Sequence, residues 1–374
     1  MGSEQPTRPR IRLIAYGLIA CFSAALIASL EIAGWCYLRA EGVDTDRLFW
    51  ARGGIQEAAG LFDTRDSFAS LDPLLSHAHN RQKLEELGLR HLPGFVIYGE
   101  ADNEHALTVV ALGGSTTDPL VEENWPRMLA NQFAAAGIPA RVYNGGVAGY
   151  SSSQELLKLL RDVLPLDPDL VISLNGVNDI GYLHAVPDHP MIHPYQRRVL
   201  ASLAGDRPLS IPLLPNAVRA ALRLAGGNAA PGMNWGTPVD APPHDQWLRN
   251  VRAMHAAAGE FGVPYLCVLQ PILGFGHYEA SPEERAMLDE TAAQHAPRRD
   301  YIADMQAFYR NASEAAGAYP FIMDLTGVFA GKSGMYRDSR HQTPAGVRVL
   351  AEAIYAHLEA RNLTGNRPAT PGNP

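Results

Sequence analysis

The sequence predicts an α/β domain built on a parallel sheet with helices on both faces, preceded by a single membrane-spanning helix. Three observations lead there. Short apolar runs such as Leu107–Leu112 and Leu170–Leu174 alternate with helical stretches between residues 107 and 360. Those runs are apolar almost throughout rather than at every second residue, as strands buried on both sides are. From Leu13 to Leu30 there is no charged residue, close to the roughly 20 apolar residues that cross a bilayer core.

The chain has 374 residues, enough for a full core, and 47% of them are hydrophobic against 19% charged. Its formal net charge of −8 and lack of a Lys/Arg cluster exclude bulk electrostatic binding of nucleic acid. The three cysteines, Cys21, Cys36 and Cys267, make neither a disulfide framework nor a zinc spacing.

The elements follow in order. Residues 1–12 read as a cytoplasmic arm and 13–38 as a transmembrane anchor, because the apolar run is longer than the roughly 7–15 residues of a signal-peptide core. A long, cleaved signal peptide is the alternative. Arg8, Arg10 and Arg12 precede the span while Arg39 and Arg47 follow it among acidic residues. That bias places the arm inside and the main domain outside, in the periplasm, on the inner membrane. Glu31 is expected near the far headgroup layer beside Trp35 and Tyr37; the alternative is a buried carboxylate paired with another membrane helix. Residues 39–100 read as a juxtamembrane segment ending in the run Phe95–Tyr98.

The main domain is expected over 101–361, with strands at 107–112, 140–143, 170–174, 264–269 and 319–325. Helices are expected at 124–136, 154–164, 246–260, across 282–317 and at 344–360. An insertion fills about 182–243. Within it Ile211–Leu224 is amphipathic and reads as a lid helix over the mouth of the site; lying against the bilayer is the second expectation. His184, His189 and His193 sit among prolines, so no helix presents them on one face to a metal. The tail over 362–374 is expected to be disordered.

Ligands of open parallel sheets bind at the carboxyl ends of the strands, and the sequence is distinctive there. The first strand ends in Gly113-Gly-Ser-Thr-Thr117, the next in Asn144-Gly-Gly-Val-Ala-Gly-Tyr150, and the third in Asn175-Gly-Val-Asn-Asp179. Before the last helix stands Asp338-Ser-Arg-His341, with Thr343 as N-cap and Pro344 at the first helical position. An Asp three residues before a His can bend back to accept its Nδ1 proton, leaving Nε2 as the acceptor a general base needs. A serine hydroxyl is a poor nucleophile near neutral pH and requires such a base. No G-x-S-x-G occurs, so the nucleophile elbow of α/β-hydrolases has no support.

These four blocks resemble those of the SGNH/GDSL hydrolases, in the same order, over roughly residues 107–360. The resemblance implies a flavodoxin-like three-layer α/β/α sandwich with a five-stranded parallel sheet, and no metal or organic cofactor. It implies Ser115 as nucleophile, His341 as base and Asp338 as the partner that orients it. The N–H groups of Ser115 and Gly149 and the side-chain amide of Asn178 would form the oxyanion hole; Asp179 reads as structural. The family's first block usually carries Asp before the Ser, where this chain has Gly114, so support for that loop is expected from Thr116, Thr117 or Asp118.

The expected activity is a serine esterase or deacylase that cleaves O-acyl esters through an acyl-enzyme. Its expected partners are the membrane, through the N-terminal helix, and an acylated small molecule or cell-envelope glycan. The rivals are an O-acyltransferase using the same triad and a non-catalytic, membrane-anchored scaffold that kept the fold.

Overall fold

A computed structural model describes residues 8–40, 69–100, 103, 105–180, 191, 193, 196, 215–224, 241–296 and 300–365. The arm before Arg8, most of the 182–243 insertion with His184 and His189, and the tail beyond Gly365 lie outside the described residues. The chain divides into two compact units, residues 1–63 with 197–234 and residues 64–196 with 235–374.

The elements run α1 (Arg8–Ala40), β1 (Ala69–Asp72), β2 (Ser76–His79), α2 (Arg81–Glu86), β3 (His91–Leu92), β4 (Phe95–Gly99), β5 (Leu107–Gly113) and α3 (Trp125–Ala135). There follow β6 (Ala140–Asn144), α4 (Ser152–Lys158), β7 (Leu170–Asn175), α5 (Pro215–Leu224), α6 (Pro243–Glu260) and β8 (Tyr265–Leu269). The last are α7 (Pro282–His295), α8 (Tyr301–Ala318), β9 (Ile322–Asp324) and α9 (Pro344–Ala360). The helix expected over 154–164 is α4, which widens into a π turn at Leu159–Val163 and then tightens into a 3₁₀ turn at Leu164–Leu166. The helical region 282–317 is two helices, each started by its own side-chain cap: Ser281 for α7 and Asp300 for α8.

In the larger unit the strand order is β3-β4-β6-β5-β7-β8-β9. The five strands from β6 to β9 pair in parallel, as the continuous apolar runs require. The stretch read as juxtamembrane adds two more: β4 pairs antiparallel with β6, and β3 with β4. Upstream, β1 and β2 form a separate antiparallel hairpin.

Alternate residues of β5 feed two cores. Val110 and Leu112 pack with Trp247, Met254 and Phe308 of α6 and α8. Val109 and Ala111 pack with Trp125, Leu129, Phe133, Leu350 and Ile354 of α3 and α9. Both faces of the sheet are thus covered, and the strand ends are fixed from either side. Trp125 and Trp247 are fully buried, so truncating either to Ala would cost about 3–5 kcal/mol.

In the smaller unit α1 contains the stretch Leu18–Ala40, 23 residues of mean hydropathy 1.8 and long enough to cross a membrane. Glu31 does not face outward. Its buried carboxylate accepts the backbone N–H groups of Asn216 (3.0 Å) and Ala217 (3.1 Å) and the Asn216 side-chain amide (2.6 Å). It therefore caps the start of α5, where unpaired N–H groups and the helix dipole favour negative charge. Gly34, one turn further along α1, lies so close that any side chain there would strike the backbone of Asn216 and Ala217. The amphipathic segment expected as a lid is thus seated on the N-terminal helix, and Glu31 is a buried carboxylate paired with α5 rather than a group at the headgroup layer.

Candidate active site

The site forms where β5, β6 and β7 end. After β5 the chain turns sharply, with the N–H groups of Thr117 (3.0 Å) and Asp118 (3.1 Å) donating to the Gly114 carbonyl. This turn lifts Ser115 out of the sheet. Thr117 fills the turn from inside: its hydroxyl accepts the Trp125 indole N–H (3.0 Å) and its carbonyl accepts the Asn144 amide (2.7 Å).

Gly114 has a positive reason to lack a side chain. A Cβ there would land on the Asn178 amide and 3.1 Å from the Tyr150 carbonyl. In this chain the amide occupies the space an Asp at 114 would need. The support falls instead to Thr117 and to Asp118, whose carboxylate accepts the N–H of Leu120 (2.8 Å), the N–H of Ala148 (2.7 Å) and His79 Nε2 (3.1 Å).

On the opposite side, residues 338–341 make one tight turn. Asp338 Oδ1 accepts the backbone N–H groups of Arg340 and His341, each at 2.8 Å, while its Oδ2 lies 2.8 Å from His341 Nδ1. Burial alone would raise the Asp338 pKa, but the His341 ring and these N–H groups outweigh it and hold the carboxyl down at about 2. The carboxylate fixes the Nδ1–H tautomer, so Nε2 is an acceptor, assigned from its partners. That nitrogen is 2.6 Å from Ser115 Oγ, across 226 positions of sequence. Thr343 caps α9 as expected, accepting from Gly346 N–H (3.3 Å).

Ser115, Asn178 and His341 line one pocket, together with Tyr150, Gln270 and Arg340. Asp338 stands behind His341, and neither it nor Gly149 is among the lining residues, although Tyr150, next to Gly149, is. The Asn178 amide donates one hydrogen to the Tyr150 carbonyl (2.8 Å), and an amide carries two. Asp179 is fully buried and accepts from the Ser152 backbone and hydroxyl. Burial raises its pKa to about 6 against those hydrogen bonds.

The structure adds residues that the motifs do not name. Gln270, just beyond β8, donates to the Thr116 hydroxyl (3.0 Å) and the Arg340 carbonyl (3.1 Å), tying the serine turn to the histidine turn. Its signal in the sequence is a polar residue directly after the wholly buried run Tyr265–Leu269. His77 and His79 reach the loop beside the site, at the Ala148 carbonyl and Asp118, from a stretch without readable period. His193, grouped with His184 and His189 in sequence, contacts Ser76 and the Gly149 carbonyl. Among the described residues no cluster has the make-up of a metal site.

A hydroxyl, imidazole and carboxylate in line, at the carboxyl edge of a mostly parallel sheet, define a serine hydrolase acting on ester bonds. The model of the GDSL-like lipase/acylhydrolase family matches residues 111–349, more than half of the chain, and the chain belongs to that family. No curated protein matches it in sequence. Among solved structures, the acetyl xylan esterase AlAXEase is similar at 14% identity and a TM-score of 0.40, over 67% of this chain and 99% of that one. A GDSL-like lipase from Bacteroides thetaiotaomicron VPI-5482 is 17% identical with a TM-score of 0.38, over 68% and 89%. A catalytic mutant of an acetylxylan esterase from Geobacillus stearothermophilus is 14% identical with a TM-score of 0.39, over 70% and 94%.

Proposed function

We propose that this protein is a membrane-anchored deacylase that removes O-acyl groups from a cell-envelope glycan or lipid-linked substrate through an acyl-enzyme. The observation that carries the reading is the aligned pair of hydrogen bonds, Ser115 Oγ to His341 Nε2 at 2.6 Å and His341 Nδ1 to Asp338 at 2.8 Å.

In the proposed reaction His341 Nε2 takes the Ser115 proton as Oγ attacks the ester carbonyl. The tetrahedral oxyanion is received by the N–H groups of Ser115 and Gly149 and by the free amide hydrogen of Asn178. Collapse leaves the acyl group on Oγ, and the departing alcohol oxygen takes the proton back from His341. Water then repeats the sequence, and the carboxylic acid leaves. Throughout, Asp338 stays ionised and stabilises the imidazolium.

Two features support the location. The apolar stretch Leu18–Ala40 is long enough to span, and the bond from Glu31 to the α5 backbone supports a helix that is retained in the folded protein. The domain then faces the periplasm, where acylated glycans are within reach of a tethered enzyme.

The test is hydrolysis of a chromogenic acetyl ester, with and without a sugar acceptor, alongside labelling by a fluorophosphonate. Turnover without acceptor and labelling that vanishes in Ser115→Ala are expected. Release that requires the acceptor would make the protein a transferase, and folded protein inert to the label would remove the enzyme reading altogether.

A further inference from the structure

We infer that His77 and His193 are positioning residues that aim the Gly149 N–H into the oxyanion hole, so that the hairpin ahead of the main sheet is part of the catalytic apparatus. The inference rests on the esterase reading above and adds to it.

Backbone polar groups in a folded protein nearly all find partners, so those of residues 148–150 can be followed one by one. Ala148 N–H donates to Asp118 (2.7 Å). The Ala148 carbonyl accepts from His77 Nε2 (2.8 Å) and the Gly149 carbonyl from His193 Nε2 (3.1 Å). Tyr150 N–H donates to the Val147 carbonyl (3.0 Å), and the Tyr150 carbonyl accepts the Asn178 amide (2.8 Å). One group remains, the Gly149 N–H, which has no acceptor among the described residues. It is the donor that the reaction needs.

A peptide bond is planar and trans, so its C=O and N–H point in opposite directions. Holding the Ala148 carbonyl on His77 therefore fixes where the Gly149 N–H points, because both belong to one peptide unit. Gly149 has φ +88°, in the left-handed region, which lets the chain turn between the two held carbonyls.

The rings can act only as donors there. A carbonyl accepts and never donates, so each Nε2 carries the hydrogen and each Nδ1 is an acceptor. Both Nδ1 atoms face one hydroxyl, Ser76 Oγ, at 3.2 Å from His77 and 3.4 Å from His193. Ser76 is fully buried with φ +80°, a conformation few residues other than Gly adopt, and it sets that hydroxyl between the rings. Tyr150 returns the contact by donating its hydroxyl to the His77 carbonyl, and His79 reaches Asp118 from the same strand. Burial lowers both imidazole pKa values, that of His193 to about 3, which keeps the single-donor form in place.

The experiment uses the full-length protein and two readouts, the rate constant for fluorophosphonate labelling of Ser115 and the kcat and KM for a chromogenic acetyl ester. His77→Leu is expected to lower the labelling rate and kcat by about 10²-fold, the scale of a lost oxyanion donor, with KM unchanged within about threefold. His77→Gln, which offers an N–H at similar reach, is expected to recover at least tenfold of that loss. His193→Leu is expected to cost less, since its carbonyl is one peptide further on. A His77→Leu protein with wild-type kcat, a loss expressed in KM alone, or a loss that Gln fails to rescue at equal thermal stability would overturn the inference. Ser115→Ala is the control that separates the two readings. If it abolishes labelling while His77→Leu is normal, only the positioning role fails; if it leaves turnover intact, the triad itself is wrong.

Discussion

Two Asp–His pairs flank the serine turn, and they differ in what they leave free. In Asp338–His341 the carboxylate spends one oxygen on backbone and the other on the ring. The pair is partly open, with side chains 49% and 26% exposed, and the far ring nitrogen faces Ser115. In Asp118–His79 both side chains are 6% exposed, and the carboxylate also holds the backbone of Leu120 and Ala148. The same two residue types are arranged for a proton transfer in one place and brace a loop in the other. A ring nitrogen aimed at a reactive atom separates them, together with solvent access for the proton; the Asp–His bond itself does not.

Substitutions can break that contrast. Asp338→Asn is expected to lower kcat by about 10³–10⁴-fold with little loss of stability, because the amide favours the wrong tautomer at His341. Asp118→Asn is expected to do the reverse: a cost of about 1.5–3 kcal/mol in thermal or denaturant unfolding, for weakened bonds to a buried charge, and about a tenfold fall in kcat. Equal kinetic losses in the two variants would abolish the distinction.

Gln270→Leu sharpens it further. The amide touches neither dyad but joins their loops, so a fall in kcat of about tenfold is expected, with normal unfolding within about 1.5 kcal/mol. Unchanged turnover would show that the two turns hold their spacing without it.

The smallest effect concerns a third aspartate. Burial raises the Asp179 pKa to about 6, above its ordinary value of 3.8. A raised carboxyl binds its proton more tightly in the folded state, so stability is greatest below the unfolded pKa and falls as pH rises from about 4 to about 6. Asp179→Asn removes that slope. Its unfolding free energy relative to wild type is expected to improve between pH 4 and pH 7.5, by on the order of 3 kcal/mol. Parallel pH profiles for the two proteins would place the proton elsewhere.

Much of the architecture was legible because it follows from periodicity. Unbroken apolar runs such as Leu107–Leu112 announce strands covered on both faces, and their loop sequences mark the ends where Ser115, Asn178 and His341 meet. The edge strand β3 was harder, since His91–Leu92 is two residues long and an edge strand needs no continuous run. The hairpin carrying His77 was harder still: its backbone bonds are local, but its side chains act on a loop more than 70 positions away, and no spacing rule covers such a distance. Gly114 illustrates the converse. From the sequence it looks like a missing aspartate, and only the position of the Asn178 amide explains it.

The bond between Glu31 and the α5 backbone joins positions 185 residues apart. A chain begun after Ala40 would keep every strand of the catalytic sheet, yet Asn216 and Ala217 would lose their acceptor and the close packing of Gly34. Such a fragment would leave the start of α5 without its cap. Comparing that fragment with the full-length protein therefore reads out what the seat of α5 on α1 contributes to turnover.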